Sequence, residues 1–173
     1  FIFMNNNYTE HFLVNINSSD LPGWFSFIII TLIILLIVKK NPTTKNFLLT
    51  ALFLRSLCVI IDQYFYYLPG SMMDGWTFEH IAFDYSQNYG FTIIYSLFDG
   101  SSYFLSKLVS ILYTLLETRS PMMANMISVG VGTAAVYLIY YLTLIIWGRD
   151  AALKAGWFAT FFPTLVLYSA IMM

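Results

Sequence analysis

Hydrophobic positions in this chain run in long unbroken stretches, and each stretch is set off by a breaker or a charge. Leu21 to Val38 carries no charge over about 18 positions, close to the roughly 20 residues that cross a hydrocarbon core. Trp24 stands near one end as an interface anchor, while Lys39, Lys40 and Lys45 gather at the other around Asn41-Pro42. Basic clusters favour the cytoplasmic face, so the pattern predicts an N-terminus outside. A second run, about 47 to 67, heads outward and stops at Leu68-Pro69-Gly70. The third, about 103 to 116, is short and holds Lys107; it either crosses with Lys107 near the outer face or dips in and returns, and crossing, the expected course, puts Arg119-Ser120-Pro121 in the cytoplasm. A fourth, 122 to 147, has Gly130 and Gly132 where another helix can approach closely. Arg149-Asp150 and Lys154 then form a short outer turn. The fifth, about 155 to 173, carries Pro163 as a kink. Because the last residues still lie in an apolar run, the chain is expected to be a piece of a longer protein.

The loop 68–101 has a different pattern. From Asp62 to Gly100 there are five acids (Asp62, Asp74, Glu79, Asp84, Asp99) and no Lys or Arg, which suits an outer face. Ser71-Met72-Met73-Asp74 has the Ser-x-x-acid form of a helix start. Trp76, Phe78, Ile81, Ala82 and Tyr85 then recur at helical spacing. Together they predict an amphipathic helix in the interface plane, ending near Asn88 or Gly90.

Composition supports one class. Hydrophobic residues make up 59% and charged residues 10%, against roughly 45–50% and about 25% for a soluble domain; the mean hydropathy is +0.72. The expected fold is therefore all-α, a polytopic transmembrane bundle of about four or five spans in one domain, with an interfacial helix in the outer loop. A bacterial inner membrane and an endoplasmic reticulum membrane both suit it. The net charge of −1 offers no electrostatic basis for a nucleic-acid partner. Cys58, the one cysteine, sits in an apolar run, where an inert buried thiol is the expected state.

Candidate chemistry is sparse. Arg55 and Asp62 are charges inside the second run, where ionisable groups are costly and are paired or functional. Seven residues apart, they share a helix face. Arg55 either snorkels or pairs with an acid of another helix, or it forms an anion site facing the bundle interior. There is no P-loop and no Gly-x-Ser-x-Gly, and His11 and His80 are too far apart in sequence for a local zinc pair. An acid in the outer loop can serve as a base for an incoming hydroxyl or amine; equally, these acids can simply solvate the loop.

The stretch from Arg55 and Asp62 through Leu68-Pro69-Gly70-Ser71-Met72-Met73-Asp74-Gly75-Trp76-Thr77-Phe78-Glu79-His80-Ile81-Ala82 resembles the start of the GT-C type membrane glycosyltransferases. These enzymes use polyprenyl-phosphate sugars and include protein O-mannosyltransferases and aminoarabinose transferases. Leu112-Tyr113-Thr114-Leu115 with Ser120-Pro121 and Asn125, and Phe162-Pro163-Thr164-Leu165-Val166-Leu167-Tyr168-Ser169, resemble two further segments of that family. The chain departs from it at Glu117-Thr118-Arg119, where the family carries small residues or glycine.

The resemblance implies transfer of a sugar from a polyprenyl-phosphate donor to a surface glycan, lipid or protein. It implies Asp74 as the carboxylate that meets the acceptor, with Glu79 as a second acid. The leaving phosphate needs a cation, because negative charge develops there in the transition state; topology offers Lys107, Arg149 and Lys154. No cofactor is implied, and the phosphate leaves room for a divalent metal. Membrane lipids and the lipid-linked donor are the expected partners. The alternative is a non-catalytic membrane subunit that binds other membrane proteins within a larger complex.

Overall fold

A computed structural model describes residues 18–68, 75–99 and 103–170. Among them the chain is all helix, without a strand. α1 spans Leu21–Lys40, α2 Lys45–Tyr64, α3 Trp76–Asn88, α4 Phe104–Leu116, α5 Pro121–Trp147, α6 Arg149–Phe161 and α7 Pro163–Ala170. Short 3-10 turns at Ser18–Asp20 and Pro42–Thr44 and a longer one at Gly90–Ser96 join them.

Among the described residues three helices are long and apolar enough to cross a membrane: α1, α2 with its preceding turn, and α5. α6 and α7, bent by 60° at Phe162-Pro163, make a fourth span if taken together. α1 is apolar all round: Phe25, Ile28, Leu32, Ile33 and Leu36 are exposed on the bundle. Such a helix needs lipid, because water would have to cover that surface. Hydroxyls inside the spans bond back along their own helix, Thr31 to the Phe27 carbonyl (2.8 Å) and Thr133 to that of Val129 (2.8 Å). Such back-bonds keep these hydroxyls from facing hydrocarbon unpaired.

The packing sets helix direction. Gly23 lies against Met122, where an added methyl would stand 2.6 Å from the Met122 side chain; Gly130 lies against Ile30; and Asn41 donates to the Tyr137 hydroxyl (3.1 Å). α1 and α5 are therefore parallel along their whole length. α2 runs the other way, with Thr43 and Phe47 at Tyr140 and Tyr64 beside Met122 and Asp20. Gly148, at φ 83, turns the chain. α6 then rises from the Lys39–Lys45 end, with Gly156 against the Phe47 ring.

This corrects the expected topology at two places. The run 103–116 does not cross. Its helix has 13 residues, about 20 Å, against a core of about 30 Å; its last turn meets Ser120 at the start of α5, and Leu105 in its first turn lies beside Ser128 and Val131 part-way along α5. Arg119 is thus at the same end as Asp20, Asp62 and Glu79, not at the lysine end. Arg149 and Lys154, placed in an outer turn by the sequence pattern, are at the lysine end instead.

With one crossing removed, the charges separate. Five of the eight basic residues (Lys39, Lys40, Lys45, Arg149, Lys154) gather at one end of the bundle. Of the described acids, Asp20, Asp62, Glu79, Asp84, Asp99 and Glu117 are at the other, leaving Asp150 alone among the bases.

Candidate functional site

Two polar centres stand out in this apolar bundle. The first is at the acid end, where α3 and α4 pack on each other and on the opening turns of α5. Ala82, Val109, Tyr113, Met123 and Ala124 form a small core of their own there. Beside it Glu79 is 4% exposed. Tyr113 donates its hydroxyl to Glu79 Oε1 (2.8 Å), and Arg119 reaches both carboxylate oxygens, Nε to Oε1 (3.0 Å) and Nη2 to Oε2 (2.5 Å). Arg119 also sits 5.0 Å above the Phe83 ring and donates to Nδ1 of His80 (2.8 Å), which stacks on Trp76.

The local chain makes this possible. α4 ends on Glu117 in a left-handed conformation, φ 50, uncommon for a residue with a Cβ. That reversal carries Arg119 back over α3. Ser120 then caps α5, its Oγ accepting from the Met123 amide (3.2 Å), with Pro121 in the first helical position; that is where a missing N–H costs nothing.

Glu79 is therefore fully engaged. Its hydrogen bonds hold the Arg119 guanidinium above its ordinary pKa, and burial beside Glu79 raises that of the Tyr113 hydroxyl well out of reach. Both stay donors, which suits a clamp and not a base. Glu79→Gln keeps the shape but removes the charge, and hydrogen bonds to charged groups contribute about 1.5–3 kcal/mol each. Arg119 is one-third exposed, so screening trims that figure. A loss of about 2 kcal/mol is expected in thermal unfolding in micelles, with Asp84→Asn, on the exposed face of α3, staying within about 0.5 kcal/mol.

Lys107 is engaged as well. It is 3% exposed and donates to the Ser96 carbonyl (2.6 Å) and to Asp99 (2.7 Å), fastening the Gly90–Ser96 turn to α4. It is no free phosphate ligand. Arg149 and Lys154 are at the opposite end from Glu79 and cannot share a ligand with it. Asp74 lies outside the described residues.

The second centre is Arg55, 1% exposed at mid-length of α2. Its partners are neutral: Nε to Ser169 Oγ (2.7 Å), Nη1 to the Ala51 carbonyl (3.2 Å) and Nη2 to the Ala159 carbonyl (3.4 Å). The last has a clear origin. In an unbroken helix the N–H four residues on would bond Ala159 O, but that residue is Pro163, which has none. Arg55 takes the carbonyl that the proline orphans. Ser169 comes within reach because Gly132 lies under it, where a methyl would overlap the Ser169 side chain. Asp62, also buried, accepts from the Leu68 amide (2.7 Å) at the end of α2.

Sequence reasoning missed Arg119, Tyr113 and Ser169 as partners. The i−4 rule at Pro163 marks Ala159 O from the sequence alone; nothing comparable marks Glu79 and Arg119 as a pair, because one misassigned crossing separates them. Among the described residues no three His, Cys, Asp or Glu side chains come together to hold a metal ion. Comparison with protein-family models, curated proteins and solved structures finds no match to this chain.

Proposed function

We propose that this chain is the membrane module of a polyprenyl-phosphate-dependent glycosyltransferase, with its lysine end in the cytoplasm and its α3–α4 lobe outside. The observation that carries the reading is that lobe, clamped by Glu79 and Arg119 across the end of the bundle opposite the basic turns. A lipid-linked donor presents its headgroup at that depth, and a surface glycan, lipid or protein acceptor reaches it from water. Asp74, two residues before α3 in sequence, is the acceptor-facing carboxylate, and Glu79 is a positioning residue. With Lys107 tied to Asp99, the cation for the leaving phosphate is Arg119, whose Nη1 makes no hydrogen bond within the described residues.

The test is sugar transfer by the full-length protein in vesicles, supplied with polyprenyl-phosphate sugars and a lysate acceptor fraction. Transfer supports the reading. If no polyprenyl-phosphate sugar is consumed, the non-catalytic membrane subunit replaces it. Orientation has its own check, in a Cys58→Ala background. Cysteines at the exposed positions Asp84 and Glu117 should react with a membrane-impermeant maleimide in intact cells. One at Asp150 should react only after permeabilisation. Labelling at Asp150 in intact cells would reverse the orientation.

A further inference from the structure

Arg55 is a buried charge whose structural duty does not use it up. It sits ten residues from Lys45 and nine from Tyr64, about 15 Å from either end of α2. The ion pairs among the described residues are Lys107–Asp99 and Arg119–Glu79, so no carboxylate described here neutralises Arg55. A guanidinium has five N–H donors, and three are engaged. Charges at this depth are ordinarily paired.

The guanidinium forms part of the wall of a cleft of about 240 Å³, lined also by Ser128, Gly132, Ala135, Leu165 and Ser169. Several times the ~30 Å³ share of one water, it has room for an acidic side chain with its stem. The cleft is walled by α5, by α7 and by Leu105 of α4, and Val131, Leu165 and Tyr168 in its lining are exposed on the bundle.

We propose that Arg55 and this cleft receive a carboxylate carried at mid-depth by a membrane-spanning helix of a partner protein. Three observations select that occupant. The unneutralised guanidinium asks for an anion. The depth rules out a phospholipid headgroup, which would have to leave the interface by about 15 Å. A second copy of this chain does not supply the acid from its described spans, since Asp20, Asp62 and Asp150 stand at helix ends. The small residues Ser128, Gly132 and Ala135 on this side of α5 let a neighbouring backbone come close enough for a short acidic side chain to reach in.

The experiment uses the full-length protein in phosphatidylcholine vesicles with two dansyl-labelled oligo-leucine helices, one with a central Glu and one with Gln, in mildly alkaline buffer. Energy transfer from the native tryptophans reports association. The Glu helix should bind about tenfold more tightly, the scale of a strong interhelical polar contact in lipid. Ala135→Trp fills the cleft while keeping Arg55 and the residues it bonds, and should abolish the preference; Arg55→Met should do the same if it folds. Equal binding of the two helices overturns the proposal. So does a Glu preference that survives Ala135→Trp. Competition by oleate without any preference between the helices would make this a lipid-carboxylate site and overturn it too.

Discussion

Under the proposed function, Asp74→Asn is expected to slow sugar transfer by the full-length protein by ~10²–10⁴-fold, the usual cost of removing a general base. Asparagine keeps the size of the side chain and removes only its capacity to take a proton. Asp74 directly precedes Gly75, the N-cap of α3, and the positive end of a helix favours an ionised acid. Glu79 turns to Arg119 and Tyr113, and the proposed function gives the substrate-facing role to Asp74. The two substitutions should then separate. Asp74→Asn loses rate with a thermal midpoint like the wild type's, whereas Glu79→Gln loses stability and its rate follows the folded fraction. An Asp74→Asn enzyme with the wild-type rate would remove the base from this residue.

The break between α6 and α7 should depend on Arg55 only while Pro163 is present. Arg55→Met removes three hydrogen bonds and leaves the Ala159 carbonyl without its donor inside the bundle. With bonds to charged groups at about 1.5–3 kcal/mol, set against relief of roughly 2.5–3.5 kcal/mol from withdrawing a charge from mid-membrane, a net loss of about 2 kcal/mol is expected. Pro163→Ala restores the N–H that Ala159 O lacks, so α6 continues straight and the carbonyl no longer needs the guanidinium. Arg55→Met should then cost about 1 kcal/mol less, inside the range of about 0.6–1.7 kcal/mol found for interhelical bonds in membranes. Denaturant unfolding of the four proteins in the cycle measures that coupling. Strict additivity would mean that Arg55 does not serve the break.

How much of this was legible beforehand differs between elements. The apolar run at Leu21–Val38 became α1, and the periodic Trp76, Phe78, Ile81, Ala82 and Tyr85 became α3, because both patterns record local requirements. Pro163 marked the 60° break for the same reason. The site was less legible. Glu79 was picked out as an acid in the right loop, but its role depends on Arg119, forty residues away. Lys107 looked like a free cation and is held by Asp99. Arg55 was expected to pair with an acid or to form an anion site, and its described partners are two carbonyls and a serine.

By itself the sequence determined the material of this protein: helices throughout, apolar surfaces that only lipid can cover, a lysine-flanked turn at Asn41-Pro42, and a proline that must orphan a carbonyl. Each of these follows from residues within one or two turns of each other. The tertiary structure alone decided which charges meet. Apolar runs are read as crossings by length, and α4, at 13 residues, is near that limit. An error of one crossing reverses the side of everything after it. Packing removes the ambiguity, since Glu79 can only reach Arg119 if α4 turns back. Once it does, the bases of α6 fall in with Lys39, Lys40 and Lys45.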